Sequence, residues 1–338
     1  MIEEHLTLVS FEITGVCQNR CMHCYYFTRG EVPAYDMPLK LYRRAIDEIA
    51  REVVNCRSFG YRGGEPTVHR EFFAVTKYTR DSLPDWNIHL STNGIRLADR
   101  AFTEKLLDLD AVDGFQVTIQ SYKKEVHDGI TRLKGSWERT VQAIKNLVKE
   151  GANVWTNTPL SRLNAGHILE TVRFLAELGV ERIIVNKAIF THTARRNLAE
   201  LMLSPEEYGA LCYRIKKLAQ ELGIQPNFPY SFPVCLFDPH TLGLRGHYTC
   251  GLGKGVLEVN PAGDIAPCAF VGIRYGNIFE DGLSEAWNRS ASARFWKDKE
   301  SFLPVVAPEC ARCRKLRSCG GINMCEYPFL KNRIKPVR

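Results

Sequence analysis

At 338 residues, with 45% apolar and 25% charged side chains, the chain has room for about two domains, or for one α/β barrel with an extension, and its composition gives no signal of disorder. It has no apolar run of about eighteen residues to cross a membrane, and Glu3 and Glu4 stand where a secretory signal would be basic, so no membrane association or export is expected and the protein is expected in the cytoplasm. The net charge of +7 is local: from Cys310 to the end, eight cations (Arg312, Arg314, Lys315, Arg317, Lys331, Arg333, Lys335, Arg338) stand against Glu326 alone, around cysteines rather than interleaved with aromatics, which argues against nucleic acid.

Leu6–Ile13 (LTLVSFEI) reads as a strand running into a cysteine loop. Pro38 opens a helix to Val54, with Leu41, Ala45, Ile49 and Val53 at helical spacing. Phe59–Arg62 is a short strand ending in Gly63-Gly64, and Glu71–Arg80 is helical. Ile88–Ser91 is a strand ending in Thr92-Asn93-Gly94, Phe115–Ile119 is another, and Trp137–Glu150 is a helix that Gly151 closes. The strand Val154–Thr156, the helix Ile168–Leu178 stopped by Gly179, and the strand Arg182–Val185 complete six β/α units. This succession predicts a parallel sheet with functional loops at the carboxyl ends of its strands.

After Asn186 the rhythm changes. Pro205–Leu222 reads as a helix and Gln225–Pro239 as a linker rich in proline and aromatics. Val256–Asn260 and Ile265–Pro267 flank Pro261-Ala262-Gly263-Asp264 as a β-hairpin. The expected fold is α/β: a partial (β/α)6 TIM-like barrel over 1–200, a helical linker segment over 201–240, and a small cysteine-rich α+β extension over 241–338. The extension has little apolar periodicity, and metal clusters could supply the stability it lacks.

Twelve cysteines in a cytoplasmic chain need a reason other than disulfides. Three fall within Cys17–Cys24 and seven between Cys235 and Cys325, while Cys56 and Cys212 read as small buried hydrophobes on helix faces. Cys17-x3-Cys21-x2-Cys24 offers three thiolates from one loop. A cubane has four irons, so three cysteines leave one iron for a small chelating molecule. A structural zinc site, with His23 as a further ligand, is the alternative that the motif alone leaves open.

With its neighbours, this motif resembles the radical S-adenosylmethionine (SAM) superfamily, over roughly residues 6–190. The resemblance implies that Cys17, Cys21 and Cys24 bind a [4Fe–4S] cluster whose open iron is chelated by SAM. Gly63-Gly64-Glu65-Pro66 matches the family motif that contacts the SAM amino group. Glycines there let the backbone approach a ligand closely, so a branched side chain at Gly64 is expected to block SAM, and Glu65 can accept from an ammonium. Ser91 and Asn93 resemble the strand-end motif near the ribose, and Ser121 stands where many relatives have a SAM-contacting serine. Arg132 resembles the following basic position, although His127-Asp128-Gly129 departs from the usual Ser-x-Asp-Gly. Tyr25 occupies the place of a cluster-shielding aromatic.

The last third resembles the SPASM extension of that superfamily, which carries auxiliary iron–sulfur clusters: Cys250, Gly263-x4-Cys268, then Cys310-x2-Cys313-x5-Cys319. Two departures are visible, since Cys325 follows Cys319 at x5 rather than x3 and no cysteine follows Cys325, while Cys235 lies upstream. Seven cysteines fall one short of two fully cysteinyl clusters. By the resemblance, Cys235, Cys250, Cys268 and Cys325 would hold one cluster and Cys310, Cys313 and Cys319 the other. A single-cluster version would use Cys250, Cys268, Cys310 and Cys313, and a zinc ribbon is the plainer alternative.

The implied activity is reductive cleavage of SAM to a 5′-deoxyadenosyl radical that abstracts hydrogen from a C–H bond of a peptide or small natural product, with a flavodoxin- or ferredoxin-type electron donor. Sixteen residues precede Cys17, so no separate leader-peptide-recognition domain is expected there, which favours a small molecule or a short peptide. Asp238, His240 and His247 lie near the cysteines, but surface polar groups are common and no catalytic acid or base is assigned. The rival class is a non-catalytic iron–sulfur carrier or scaffold, which would need neither an open iron nor Gly-Gly-Glu-Pro.

Overall fold

The structure is a computed structural model that describes residues 1–4, 6–25, 35–189, 201–230, 232–244, 250, 252–253, 255–319, 321 and 323–334. Strands β1 (Leu8–Glu12), β2 (Ser58–Arg62), β3 (Asn87–Thr92), β4 (Gly114–Thr118), β5 (Val154–Leu160) and β6 (Arg182–Lys187) lie side by side in chain order, all parallel. The helices between them include α1 (Leu39–Glu52), α2 (Phe72–Ser82), α3 (Arg100–Asp108), α4 (Lys124–Thr131), α5 (Ser136–Lys149) and α6 (Ile168–Glu177). This is the partial barrel that the β/α rhythm predicts. Helices α3 and α4 are additions to that reading; α3 is started by Asp99, whose carboxylate accepts from the Ala101 and Phe102 amides.

Alternation along the strands decides which side chains meet the helices. Phe11 stacks on Phe59 with centroids 5.5 Å apart and meets Tyr42 of α1 edge-on at 5.7 Å. The hydroxyls of Tyr42, Tyr61 and Thr79 join in a buried hydrogen-bonded group that ties α1, β2 and α2 together. With Val9, Phe11, Phe59, Tyr61, Ile88, Leu90, Phe115 and Val117 in this core, the intervening residues Ser10, Glu12, Arg62, His89, Ser91 and Gln116 share the opposite, inward face.

The sheet does not end with β6. Helix α7 (Pro205–Leu222), with a Ser204–Glu207 capping box, Pro205 in its first turn and Gly223 left-handed at its end, leads into β7 (Gln225–Asn227), which pairs in parallel with β6. That strand falls in the stretch read as a linker; three residues are too few to show alternation. The expected hairpin is present as β8 (Val256–Val259) and β9 (Asp264–Ala266), and β10 (Gly276–Asn277) extends it. Its first strand pairs in parallel with β1, Leu8 opposite Val256 and Phe11 opposite Val259, so the sheet has ten strands in the order β10-β9-β8-β1-β2-β3-β4-β5-β6-β7. Cys212 is buried on α7 as expected, whereas Cys56 is buried in the turn between α1 and β2 rather than on a helix.

The C-terminal region is fastened to the barrel at separate points. Trp287 of α8 (Leu283–Arg289) is fully buried and donates to Glu4 Oε2 at 2.7 Å, and Glu48 of α1 accepts from the Leu283 amide at 3.0 Å. At the far side Lys187, the last residue of β6, forms an ion pair with Glu326, their side chains only 1% and 0% exposed. The Lys187 ammonium lies 5.2 Å from the Tyr230 ring centre, and Asn323 donates to the second Glu326 oxygen at 3.2 Å. Removing one partner of such a pair leaves an uncompensated buried charge, so Glu326→Gln is expected to cost about 3–5 kcal/mol, read from the urea midpoint. The Lys187→Met/Glu326→Leu double variant should lose much less.

Candidate metal centre

The strand ends of β1 to β4 build one rim. Past Glu12 the chain forms the cysteine loop, and past Arg62 it forms Gly63-Gly64-Glu65-Pro66. Gly64 N donates to Thr14 O at 2.9 Å and Glu65 N to Val16 O at 2.8 Å, so strand-like pairing continues beyond the strands. A Cβ on Gly64 would press into the Val16 carbonyl, 2.8 Å from its carbon, and one on Gly63 (φ +110°) would lie 2.8 Å from Glu12 Cβ. The space at Gly64 is therefore filled by the loop backbone of Gly15 and Val16, which corrects the expectation that it is kept for a ligand. Pro66 and Thr67 are buried in a short turn that the Glu65 carboxylate starts.

Glu65 is 1% exposed and ties two strand ends together. Its Oε1 accepts from Thr67 Oγ1 at 2.6 Å and Thr92 Oγ1 at 2.7 Å, and its Oε2 from the Asn93 amide at 2.7 Å. Burial pushes this carboxyl up, against the hydrogen bonds from Asn93, Thr67 and Thr92. One lone pair on Oε2 is left for an ammonium. Asn93 in turn extends its side-chain amide to Gln18 Oε1 at 3.2 Å and to Cys17 Sγ at 3.8 Å. Ser91 is on the inward face and donates to Gln116 Oε1 at 3.0 Å.

Cys17, Cys21 and Cys24 are each partly exposed on the loop. Burial pushes the Cys17 thiol up to about 12, with the charges of Glu65 and Cys24 adding to it. It pushes Cys21 up as well, with Cys24 and Cys17 adding. Three thiolates that repel one another in a half-buried loop are unfavourable alone and favourable around iron, so the donor set fits a cluster. The loop is held from the other side by α4: Arg20 N donates to Thr131 O and Met22 N to Ile130 O, both at 2.9 Å. Arg132 caps that helix in the left-handed conformation (φ +55°) and is exposed. The Tyr25 ring lies 5.0 Å from that of Phe270, two residues beyond Cys268.

Beyond β4 the rim carries two groups that sequence reasoning missed. Gln120 is 1% exposed, and both its side-chain oxygen and nitrogen lack a hydrogen-bond partner. Its backbone N donates to His127 Nδ1 at 3.2 Å, so the neutral imidazole carries its proton on Nε2, also buried without a partner. Burial lowers His127 to about 4, which keeps it neutral at physiological pH. Unpartnered buried amide and imidazole groups of this kind fit a polar ligand. Ser121 is fully buried; its Oγ accepts from the Lys123 amide at 3.1 Å and its carbonyl from Trp137 Nε1 at 3.2 Å.

Four of the seven C-terminal cysteines share one cavity wall. Cys235, Cys310, Cys313 and Cys319 line one cavity with Pro233, Val234, Leu316 and Ile334. Cys325 is raised by burial, and the charges that add to this are those of Glu326, Cys268 and Cys250. The resemblance instead grouped Cys235 with Cys250, Cys268 and Cys325. Asp238 caps the turn at 239–242 by accepting from the His240 amide at 3.0 Å, and His247 lies outside the described residues.

A model of the radical SAM superfamily matches residues 11–175, and a model of the SPASM iron–sulfur cluster-binding domain matches residues 250–314. The chain is a radical SAM enzyme with a C-terminal SPASM domain. Its cofactors are therefore [4Fe–4S] clusters and SAM, and the carrier or scaffold alternative falls. The chain is 25% identical to an AdoMet-dependent heme synthase of Methanosarcina barkeri over 95% of its length and 92% of the relative's. It is also 25% identical to the mycofactocin maturase MftC of Mycobacterium tuberculosis, over 93% and 77%. Among solved structures, native anSMEcpe with bound AdoMet shares the fold with a TM-score of 0.72 at 19% identity, covering 94% of this chain and 88% of that one. Streptococcus suis SuiB bound to precursor peptide SuiA also gives 0.72, at 16% identity, covering 87% and 67%.

In this radical SAM enzyme Gly64→Ala is expected to displace Val16 and cost the cysteine loop its cluster, lowering iron by about four per chain while the C-terminal iron remains. Iron analysis with electron paramagnetic resonance (EPR) of the reduced protein checks this; loss of SAM binding with full iron content would restore the ligand-space reading. Gln120→Ala is expected to weaken SAM binding by about 1 kcal/mol, roughly fivefold in Kd, measured by anaerobic equilibrium binding.

Proposed function

We propose that this radical SAM enzyme abstracts a hydrogen atom from a C–H bond of a short peptide held against the inward face of the barrel, with the C-terminal clusters handling the electron that the modification releases or takes up. The observation that supports a peptide is the chemistry of that face. Ser91 donates to Gln116 at 3.0 Å, Asn186 Nδ2 to Asn157 Oδ1 at 2.8 Å, and Arg62 reaches Glu258 at 3.5 Å. The buried Ser10 hydroxyl has no hydrogen-bond partner. Hydroxyls and amides that can re-pair with a ligand suit the alternating N–H and C=O groups of a peptide backbone. Buried Glu12 and Glu258 on the same face would repel a molecule bearing several carboxylates.

Cys17, Cys21 and Cys24 would hold the cluster, and Gly63 to Glu65 would brace their loop from below. Gln120 and His127 would offer hydrogen bonds to SAM at the rim, and Asn93 would connect the Glu65 brace to Cys17. With SAM bound and an electron from a flavodoxin- or ferredoxin-type donor, the cluster supplies the 5′-deoxyadenosyl radical that takes the hydrogen atom.

Anaerobically reconstituted, reduced protein is expected to release 5′-deoxyadenosine, and the Cys17→Ala/Cys21→Ala/Cys24→Ala variant to release none while keeping its C-terminal iron. Deuterated short peptides should pass deuterium into 5′-deoxyadenosine. A heme-type tetrapyrrole is the second reading, favoured by the match to the heme synthase over 95% of the chain. Transfer from such a ring and none from peptides would replace the peptide reading.

A further inference from the structure

We propose that the seven C-terminal cysteines divide four and three: Cys235, Cys310, Cys313 and Cys319 close one fully thiolate-ligated [4Fe–4S] site, and Cys250, Cys268 and Cys325 form a second site with one iron left for a non-cysteine ligand. This rests on the SPASM assignment of iron–sulfur clusters to this region. It goes beyond it in grouping Cys235, which lies upstream of the matched segment at 250–314, with Cys310, Cys313 and Cys319.

The geometry of the first set carries the grouping. Cys235 lies in a tight turn after Pro233, whose carbonyl accepts from the Leu236 amide at 2.8 Å and the Phe237 amide at 3.0 Å. That turn brings Cys235 to the cavity lined by Cys310 of α9 (Pro308–Ala311), Cys319 of α10 (Leu316–Cys319) and Cys313 between them. Cys313 N donates to Cys310 O at 3.1 Å, and Cys319 N to Lys315 O at 2.8 Å, so two short helical turns fix the Cys-x2-Cys-x5-Cys run around it. Apolar Pro233, Val234, Leu316 and Ile334 make up most of the remaining wall. Among the described residues no three His, Cys, Asp or Glu side chains converge as closely as a single metal ion would require. Four thiols around a shared cavity suit the wider span of a cubane.

Counting then assigns the remainder. Of the twelve cysteines, three are in the loop at 17–24, Cys56 and Cys212 are buried elsewhere, and four line the cavity, which leaves Cys250, Cys268 and Cys325. Cys250 and Cys268 pack against the apolar cluster of Leu252, Phe302 and Met324, the residue before Cys325, with the backbone N of Phe270 donating to Cys268 Sγ at 3.4 Å. No cysteine of this sequence remains for a fourth ligand. The adjacent carboxylate, Glu326, is engaged by Lys187 and Asn323. The remaining iron of this site takes a nitrogen, oxygen or small anionic donor. The Tyr25–Phe270 ring contact sets Cys268 next to the loop that binds SAM, so a substrate peptide's carboxylate or amide is the class of ligand it would meet.

The test uses the full chain with Cys17, Cys21 and Cys24 changed to alanine, so that only the C-terminal clusters remain, and 13C-cyanide as the probe. About eight irons per chain are expected, with one of two EPR signals gaining a 13C coupling. Adding Cys235→Ala should leave the cyanide-coupled signal and either remove the other signal or give it a cyanide coupling of its own, whereas adding Cys268→Ala should remove the first signal and leave the other. Cys235→Ser, which preserves a ligand oxygen, should shift only the signal that cyanide does not touch. Loss or shift of the cyanide-coupled signal on changing Cys235 would overturn the grouping, and absence of any coupling would overturn the open iron. Zinc in place of iron would overturn the iron–sulfur assignment itself, a distinct failure.

Discussion

The backbone hydrogen bonds from Gly64 to Thr14 and from Glu65 to Val16 carry the β1–β2 pairing past the strand ends and into the cysteine loop. The approach is close enough that neither Gly63 nor Gly64 has room for a Cβ. A loop of three cysteines with mutually repelling thiolates has little of its own to define its shape. Here it gains a floor from the neighbouring strand end and a wall from the Ile130 and Thr131 carbonyls of α4. Glu65 extends the brace to β3 through Thr92 and Asn93. Four consecutive β/α units thus meet in one hydrogen-bonded ring around the loop, and the position of the reacting groups is set by sheet geometry rather than by the loop's own preferences.

The C-terminal third is woven into this scaffold rather than appended to one end of it. Its hairpin joins the sheet beside β1, Trp287 inserts next to Glu4, Glu326 pairs with Lys187 at the end of β6, and Phe270 meets Tyr25. These contacts span the inward face from both flanks. Cysteines distant in sequence from Cys24 are thereby fixed relative to it by packed elements, which suits chemistry that moves an electron between separated centres.

Much of this was legible in the residues. Apolar periodicity located most barrel strands and α1, α5, α6 and α7, and Ser204, Pro205, Glu207 and Gly223 marked the ends of α7 closely. The Cys-x3-Cys-x2-Cys loop and Gly-Gly-Glu-Pro stood out because their spacing serves a metal and a close backbone approach. What was illegible depended on long-range contact. Strand β8 looked like half of a local hairpin, and nothing in VLEV names residue 8 as its partner, because parallel pairing leaves no local turn signal. Gln120 and His127 are ordinary polar residues until their burial shows that they lack partners. At Gly64 the sequence records that space is needed, but not that the Gly15 and Val16 backbone fills it.

The pairing of β1 with β8 also orders events during synthesis. The strand that leads into the loop of Cys17, Cys21 and Cys24 has one neighbour, β2, about fifty residues away, and the other not until residue 256. Closing a loop of that length costs little more than closing a shorter one, but the strand must wait until it emerges from the ribosome. Through most of translation β1 presents an open edge of unpaired N–H and C=O groups and the apolar side chains of Val9 and Phe11. The nascent barrel therefore keeps its open edge while Cys17, Cys21 and Cys24 are already outside the ribosome.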